Sequence, residues 1–395
     1  MNATGTTIIR ARALLRGDDL CIQEHAAIVV QDGLIREIVP EPYWRGSPPG
    51  DVIDCSDQIL LPGLIDSHNH LSLDSRLDRY LERMTDPVPA LTIRAVTTMQ
   101  EDLLAGVTTI RCLGDKEFLD IECRKAVESG YIRGPRLVVA GKGIRSSAGH
   151  GFVGYAFDGP EAVRQAVREN VSRGVDIIKF YVTGTIPVKG TIPCFLSREE
   201  VNLIVSEAGR LGCKTAAHCI GGVGFDWCLD AGVDVIEHGY FLGNGQIERL
   251  GKSRSRLVLT PGFYLSEQRI NTLPGHLIKP HLEAAPAARS TMSAIIDAGI
   301  PFAVGTDGVH GRGALAAEIS CLLDLGASPA VALSAATLMG AQLCGLERIT
   351  GTIELGKSAD MIGVKSNPLT DMEPLNDVRT VILQGKVVSP VSTAR

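Results

Sequence analysis

Four histidines, one lysine and one aspartate interrupt apolar stretches of this sequence, and these residue types can bind and activate metal ions. His68 and His70 close the segment Leu-Pro-Gly-Leu-Ile-Asp-Ser-His-Asn-His. Side chains two residues apart on a strand project to the same side, so two imidazoles placed in this way can bind one metal ion. Taken alone, a His-x-His pair is more often a surface feature.

Lys179 lies within the apolar segment Val-Asp-Ile-Ile-Lys-Phe-Tyr-Val. A lysine at this position can extend its ammonium to solvent at the end of a strand. Alternatively, its amine is desolvated, its pKa is depressed, and it reacts with carbon dioxide to form a carbamate. A carbamate is an anionic oxygen ligand that can bridge two metal ions. The residue by itself favours the first interpretation.

Three further polar residues each end an apolar run. His218 follows Lys-Thr-Ala-Ala, His238 follows Val-Asp-Val-Ile-Glu, and Asp307 follows Pro-Phe-Ala-Val-Gly-Thr. Singly, each histidine could be a hydrogen-bonded core residue, and the aspartate could cap a helix. Independent placement would scatter such residues over both ends of the strands, yet all six fall at or near carboxyl ends. Together they predict a metal site, for which zinc is the first choice and manganese an alternative.

The elements that must position these residues alternate between apolar, strand-like runs and helix-like runs. Helical periodicity covers residues such as Glu161–Arg173, Arg198–Leu211, Val223–Ala231 and Ala284–Ala298. Repeated strand–helix units imply parallel strands with right-handed crossovers, and eight units predict a closed (β/α)8 TIM barrel in the α/β class. An open doubly wound sheet is the alternative, which the lack of a Gly-x-Gly-x-x-Gly turn after the first strand weakens. The eight strand candidates are Ile59–Ile65, Val107–Leu113, Arg136–Ala140, Val175–Val182, Lys214–Cys219, Val233–Phe241, Arg256–Pro261 and Pro301–Thr306.

Both ends of the chain instead consist of short strands and turns. The N-terminal candidates are Thr6–Ala13, Ala27–Gln31 and Gly33–Glu37, and the C-terminal ones are Asp360–Lys365, Val378–Leu383 and Gly385–Val388. Chain termini often lie close together, so the two ends are expected to pair. The predicted division is a composite β domain from residues 1–60 and 355–395, and a hydrolase barrel over residues 61–354.

Composition restricts the partners and the compartment. The net charge is -6, and no cluster of Lys and Arg favours nucleic acid or an anionic membrane surface. No apolar run reaches the length of a membrane span, and the first ten residues lack the apolar centre of a signal peptide. The ten cysteines are scattered without a Cys-x-x-Cys pair, which predicts reduced thiols in a cytoplasmic protein and not zinc ligands.

With these residues, the sequence resembles the amidohydrolase superfamily, and within it the prolidase-like, imidazolonepropionase-related branch. The resemblance spans nearly the whole chain. It rests on the segment that ends at His70, and on Ala105–Arg111, Gly149–Gly151, Ile177–Lys179, Ala217–His218, Ile236–Gly239, Gly305–Asp307 and Gly351–Asp360. It implies a (β/α)8 barrel with a small β-sandwich domain formed by both termini, and often a homo-oligomer.

The resemblance also implies roles for the residues of the site. His68, His70 and Asp307 would bind one divalent ion, and His218 and His238 a second, most simply zinc ions. Lys179, as N6-carboxylysine, would bridge the two. His150 matches a histidine that faces the substrate, and Tyr240 a position that reads a substrate carboxylate.

The expected reaction is hydrolysis of an amide bond by a metal-bridged hydroxide. Asp307 would take the proton of the attacking water and pass it to the leaving nitrogen, while His150 stabilises the oxyanion. The expected substrate is a small amide, either an N-acyl amino acid or a dipeptide. Candidate readers of its carboxylate are Tyr240, Arg145 and Lys189, although Arg145 could equally be a solvated loop charge.

Three departures from the family pattern lie near the expected pocket. Cys112 replaces an aspartate, Gly184-Thr185 replaces a Gly-Gly pair, and the loop Ile186–Cys194 carries Lys189 and two prolines. Several alternatives therefore stay open: a mononuclear deaminase or cyclic-amide hydrolase, a lactonase, esterase or phosphotriesterase, and a non-catalytic scaffold. The scaffold is the weakest, because such relatives usually lack several metal ligands.

Overall fold

The computed structural model of this chain describes residues 5–40, 50–74, 83–267, 270, 273 and 275–388. Its β-strands are β1 (Thr6–Arg16), β2 (Cys21–Gln31), β3 (Leu34–Pro40), β4 (Asp51–Pro62), β5 (Leu64–Asn69), β6 (Val107–Cys112), β7 (Arg136–Val138), β8 (Ile144–Arg145), β9 (Tyr155–Ala156), β10 (Ile177–Tyr181), β11 (Lys214–Gly221), β12 (Val235–Phe241), β13 (Arg256–Leu259), β14 (Phe302–Val304), β15 (Met361–Val364), β16 (Thr380–Leu383) and β17 (Lys386–Val387).

The α-helices lie mostly between the strands of the central segment, and two short 3-10 turns, Lys116–Phe118 and Glu373–Asn376, accompany them. The helices are α1 (Val88–Leu104), α2 (Leu119–Glu128), α3 (Pro160–Arg173), α4 (Arg198–Arg210), α5 (Gly222–Ala231), α6 (Asn244–Lys252), α7 (Pro261–Leu265), α8 (Gly275–Asp297), α9 (Ala314–Asp324), α10 (Pro329–Ala335) and α11 (Leu338–Cys344). Within the described residues, no helix has the length and apolarity needed to cross a membrane.

The central segment forms a closed parallel barrel. Strands β5, β6 and β7 pair in one parallel sheet, and β10 to β14 pair successively in another. Two backbone hydrogen bonds join the sheets. The Asp307 N–H donates to the carbonyl of His68 at 2.8 Å, and the Asp176 N–H donates to the carbonyl of Val139 at 2.9 Å. The predicted (β/α)8 barrel is therefore confirmed, and the open doubly wound sheet is wrong.

Local signals explain most helix limits. Helix α4 begins after Ser197, which forms a reciprocal capping box with Glu200, and α3 ends at Gly174 in the left-handed conformation, with φ 83°. One prediction was too short. Helix α8 starts at Gly275 and not at Ala284, because the chain continues the helix through two prolines that normally break one.

The first predicted barrel strand, Ile59–Ile65, is divided between two elements. Residues 59–62 end β4 in the terminal sheet, and Leu64 begins β5 in the barrel. Gly63 separates them, and a Cβ at Gly63 would collide with the Thr108 side chain on the neighbouring barrel strand. The continuous apolar sequence hid this break, because both parts are buried.

Both termini contribute to one β domain, as predicted. The order of its strands is β17-β16-β15-β4-β1-β2-β3, with β1 parallel to β4 and β15 antiparallel to β4. One face of this sheet buries its own core, which includes Ile9, Leu14 and Met361. The other face adds residues such as Leu15 and Leu61 to the main barrel core. The domain limits 1–60 with 355–395 stay a prediction, and residues 1–4, 41–49 and 389–395 lie outside the described residues.

A buried carboxylate fastens the start of the barrel to its end. Asp66 in β5 accepts hydrogen bonds from the backbone N–H of His68 at 3.1 Å and from the Asn69 amide at 2.7 Å. It also accepts from the Thr306 N–H at 3.1 Å and the Thr306 hydroxyl at 2.7 Å, just beyond β14. One side chain therefore connects two of the segments that carry candidate metal ligands, the one with His68 and the one with Asp307.

We predict that Asp66→Ala lowers the free energy of unfolding by about 3 kcal/mol, because it leaves buried donors without an acceptor. Asp57→Ala is the matched control, since that carboxylate is 69% exposed and pairs with Arg379 at 3.5 Å. It should change stability by less than about 1 kcal/mol. Urea denaturation of the two variants measures the difference, and equal stabilities would contradict this role of Asp66.

Candidate active site

The carboxyl ends of the barrel strands bring the six predicted ligands together. His68 lies in β5, His218 in β11 and His238 in β12, and His70 and Asp307 lie just beyond β5 and β14. These five residues line one cavity. The sixth, Lys179 in β10, is fully buried, with its Nζ 3.5 Å from Nε2 of His68. Parallel strands in a closed barrel end on one face, which explains the convergence.

The ligand candidates are in close contact. Oδ1 of Asp307 lies 3.2 Å from Nε2 of His68 and 3.6 Å from Nε2 of His70. The ring centroid of His238 lies 4.8 Å from that of His68 and 4.7 Å from that of His218. One donor atom each from His68, His238 and Asp307 fall within 4.8 Å of one another, a grouping that could hold a metal ion.

Two of these residues adopt an unusual backbone conformation. The φ angles of His238 and Asp307 are 78° and 54°, in the left-handed region that non-glycine residues rarely occupy. Such conformations cost on the order of 1–3 kcal/mol each, and they persist where the surrounding structure holds them, commonly at functional sites. His238 lies within β12 and Asp307 lies just beyond β14, and both side chains line the shared cavity.

Each histidine uses one ring nitrogen for a contact within the protein. Nδ1 of His70 lies 2.8 Å from the carbonyl of Gly114, and Nε2 of His218 lies 3.2 Å from the carbonyl of Gly184. Nδ1 of His238 lies 2.9 Å from Oγ1 of Thr260. A ring nitrogen that faces a carbonyl must donate, and in a neutral imidazole the other nitrogen then has a lone pair that can bind a metal ion.

The charge state of the rings also suits a metal ion. Burial lowers the pKa of His218 and of His238 well below the usual value, so both rings are neutral at neutral pH. Burial alone would raise the pKa of Asp307, but the nearby histidine rings outweigh it and hold that pKa well below its usual range. Neutral imidazoles and an ionised carboxylate are the forms that bind divalent ions, so the residues fit the metals that the sequence predicts.

Lys179 is in an environment that makes its charged form less stable than it is in water. Burial lowers the pKa of its amine to about 8, although the carboxylates of Glu237 and Asp307 oppose this effect. Its ammonium lies 5.1 Å from the centre of the Tyr181 ring. The solvent-exposed interpretation of this lysine is therefore wrong, since the whole residue is enclosed.

A buried ion pair supports His68, and the sequence patterns assigned it no role. Oε2 of Glu237 lies 2.8 Å from Nδ1 of His68, and Oε1 accepts from the Arg111 guanidinium at 2.6 Å. Burial would raise the pKa of Glu237, but Arg111 and His68 outweigh it, so the net shift is downward. Charged residues inside the apolar runs of β6 and β12 were the available signal.

The cavity has about 830 Å³ of space, counting the solvent at its mouth, within the range of small-molecule sites. His150 lines it, and its ring centroid lies 4.7 Å from that of His218. Tyr240 lines it too, although its hydroxyl donates to the carbonyl of Thr260 at 3.1 Å. The other walls are mostly apolar or aromatic and include Leu73, Met84, Phe152, Val153, Tyr181, Ile186, Ile220, Phe263, Tyr264, Leu273 and His281.

Arg145 and Lys189, the two cations predicted to bind a substrate carboxylate, do not lie on the cavity wall. Arg145 donates to the carbonyls of Ser146 at 2.9 Å and Ser147 at 3.2 Å, so it holds its own loop. Lys189 is exposed in the turn between Val188 and Thr191. Neither residue is among those that line the cavity. Short-range sequence patterns could not reveal this, because loop geometry decides where a long side chain ends.

His281 and Tyr264 are cavity residues that the sequence patterns missed. His281 in α8 is buried, and its Nε2 lies 3.0 Å from the carbonyl of Tyr264. The two rings pack with centroids 4.5 Å apart, and Tyr264 packs on Tyr240 at 4.2 Å. Their segments carry no motif, so only their position in the fold identifies them.

Comparison with known proteins places this site in a family. Residues 59–388 match the model of the amidohydrolase family. The chain belongs to this family. By sequence, this amidohydrolase is 28% identical over 417 residues to the ochratoxinase of Aspergillus niger, covering 95% of this chain and 84% of that one. It is 24% identical over 395 residues to the imidazolonepropionase of Pyrobaculum arsenaticum, covering 90% and 91%.

Solved structures agree with the fold of this amidohydrolase. A Xaa-Pro dipeptidase with methionine bound in its active site superposes with a TM-score of 0.86 at 29% identity, covering 98% of this chain and 100% of that one. The A. niger ochratoxinase superposes with a TM-score of 0.84 at 26% identity, covering 97% and 95%. The predicted superfamily and fold class are confirmed, and the general activity is that of a hydrolase.

We predict that Glu237→Gln weakens the affinity for a divalent ion, tested with zinc, about 10- to 100-fold, because it removes the anionic partner of the ligand candidate His68. The matched control is Glu248→Gln on the surface of α6, where the carboxylate is 67% exposed. Competition with a chromophoric chelator measures the affinity, and circular dichroism verifies the fold. Equal zinc affinity in a folded Glu237→Gln protein would contradict the support role.

Proposed function

We propose that this amidohydrolase is a metal-dependent enzyme that cleaves an amide bond in a small molecule. The observation that carries the proposal is the convergence of His68, His70, Lys179, His218, His238 and Asp307 beside one apolar cavity. The relatives support amide hydrolysis, since one structural neighbour is a Xaa-Pro dipeptidase. The proposed substrate class is an N-acyl amino acid, a dipeptide or a related amide.

The proposed cofactors are two divalent ions, most simply zinc. His68, His70 and Asp307 would hold one ion, His218 and His238 the other, and carboxylated Lys179 would lie between them. When bound, such ions polarise a carbonyl and lower the pKa of a coordinated water. The neutral rings of His218 and His238 and the ionised Asp307 support this assignment.

The burial of Lys179 supports the proposal that it is carboxylated. A pKa lowered to about 8 gives the amine an appreciable neutral fraction near neutral pH. The lone pair on Nζ attacks the carbon of carbon dioxide, a new N–C bond forms, one C=O π bond becomes a C–O⁻, and Nζ releases one proton to water. The product exchanges a buried cation for a buried anion beside the carboxylates of Glu237 and Asp307, so the two divalent ions would have to compensate its charge.

In this proposal Asp307 transfers the proton, and His150 stabilises the negative charge that develops on the carbonyl oxygen. Asp307 is ionised, so its carboxylate can take a proton from the attacking water and later deliver it to the leaving nitrogen. His150 lies in a loop on the cavity wall beside His218, where its ring can donate to the carbonyl oxygen as negative charge develops. The apolar walls exclude water and receive the apolar part of the substrate.

A one-metal enzyme is the second candidate, and one observation favours it. The donors of His68, His238 and Asp307 converge on one another, although the two-metal assignment divides them between two ions. A deaminase or cyclic-amide hydrolase would use such a centre, with Lys179 unmodified. Hydrolysis of an ester or a lactone uses the same chemistry as hydrolysis of an amide. Only assays with different substrates distinguish these activities.

The compartment, the oligomeric state and the partners of the enzyme are also proposals. All ten cysteines are free thiols in the structure, which supports a reducing compartment such as the cytoplasm. A homo-oligomer with neither nucleic-acid nor membrane partners is the proposed state.

We predict that Lys179→Ala loses most bound zinc and activity, and that short carboxylic acids restore part of both by replacing the carbamate. Lys214→Ala is the control, since Lys214 is an exposed strand lysine at the opposite end of the barrel. Metal analysis should give two ions per wild-type chain. One ion per chain, or unchanged zinc in Lys179→Ala, would decide for the one-metal candidate.

We predict that Asp307→Asn retains zinc and loses about 10³-fold in kcat, because an amide cannot accept the proton. Asp297→Asn at the exposed end of α8 is the control for the substitution itself. Steady-state kinetics and metal analysis of both variants are required. Full activity of Asp307→Asn would remove this residue from the proton transfer.

The substrate class is tested with a panel on the zinc-loaded protein. N-acyl amino acids, dipeptides, neutral aryl amides, lactones and aryl esters are compared at equal concentration. We expect the largest kcat/KM on amides with a bulky apolar group, because the cavity walls are apolar and aromatic. Turnover of esters or lactones alone would contradict the proposed amide specificity.

A further inference from the structure

The turn that follows β6 contacts the segment carrying His70. The carbonyl of Gly114 accepts from Nδ1 of His70 at 2.8 Å. The carboxylate of Asp115 accepts from the N–H groups of Leu71 at 3.1 Å and Ser72 at 2.9 Å. Two consecutive residues of this turn therefore fix the ring of one ligand candidate and the backbone directly after it.

The next residue of the same turn contacts a second segment that lines the cavity. The Lys116 ammonium donates to the carbonyl of Phe152 at 2.7 Å and to that of Gly154 at 3.0 Å. These carbonyls flank Val153, which lines the cavity together with Gly151 and Phe152. The segment, residues 146–154, also carries His150 and is called the His150 loop below.

The turn is held in a strained conformation. Glu117 and Phe118 have φ angles of 52° and 58°, so two adjacent non-glycine residues are left-handed. The Tyr155 hydroxyl donates to Oε1 of Glu117 at 2.6 Å and accepts from its N–H at 3.1 Å. The Lys116 ammonium lies 4.6 Å from the centre of the same tyrosine ring. Strain of this kind persists only where contacts over-determine it.

We infer that Lys116 is a positioning residue that holds the His150 loop at a set distance from the metal-ligand segment. This inference rests on the proposed function, in which His150 faces the substrate carbonyl. Since Gly114 and Asp115 fix the His70 segment and Lys116 fixes the loop, one short turn holds two segments that line the cavity. Without the ammonium, the loop occupies the competent position for only a fraction of the time, and the apparent substrate affinity falls by that fraction.

The test measures the loop directly and then measures turnover. In Lys116→Met, amide hydrogens of the His150 loop and Tyr155 should exchange about tenfold faster, because two charge-assisted hydrogen bonds are lost. With the best amide from the panel, KM should rise about tenfold while kcat changes less than about twofold. Zinc content and Tm should match the wild type. Lys116→Arg, which can donate to both carbonyls, should restore exchange rates and KM.

Lys142→Met is the matched control. The Lys142 ammonium lies 5.1 Å from the centre of the same Tyr155 ring, but it pairs with Glu169 at 2.9 Å and, among the described residues, donates no hydrogen bond to the His150 loop. It should keep wild-type exchange and KM. If Lys116→Met does not fold, Lys116→Gln takes its place with the same expected direction.

Two results would overturn the inference: unchanged exchange in a folded Lys116 variant, or faster exchange with unchanged KM. A wild-type protein inactive on every amide would instead overturn the proposed function. The exchange rates need no substrate, so they would still decide whether Lys116 holds the loop.

Discussion

The pairing of buried charge at the centre of the barrel is the constraint on which the site depends. A charged side chain in an apolar interior is tolerated only with a partner and with its hydrogen bonds satisfied. Arg111, Glu237 and His68 come from three strands and meet through contacts of 2.6 and 2.8 Å. This chain of contacts orients His68, and Asp66 and Asp307 then connect the segments of β5 and β14 around it.

The strands around this centre carry the ligand candidates, whereas loops and helices form much of the cavity wall. The ligand candidates lie on or directly after strands, where neighbouring strands hold the backbone, even in the left-handed conformations of His238 and Asp307. Much of the cavity wall instead comes from the His150 loop and from α7 and α8. A barrel of this kind can therefore keep one reaction chemistry while its loops select the substrate. Membership of the family therefore supports hydrolysis as the reaction, but it does not identify which amide is the substrate.

The cavity walls sharpen the choice among amides. The sequence suggested Arg145 and Lys189 as readers of a substrate carboxylate, yet Arg145 binds loop carbonyls and Lys189 is exposed. The described lining is instead rich in aromatic side chains, with Tyr264 and His281 packed together near Tyr240. An apolar group on the substrate matches this wall better than a second charge does, since apolar burial is the main favourable term available there.

The sequence alone determined the parallel barrel, the terminal β domain and the six ligand candidates, because each depends on local periodicity and on polar residues that interrupt apolar runs. His70 follows its strand, and His218 and His238 lie on theirs, so the strand pattern by itself was enough to predict their shared face. Only the tertiary structure decided which residues support and enclose them. Glu237 and Arg111 are distant in sequence, and Lys116 acts on a loop far beyond its own turn. Contacts of that kind leave no periodic signal, because they form only when the closed barrel brings separate strands and loops together.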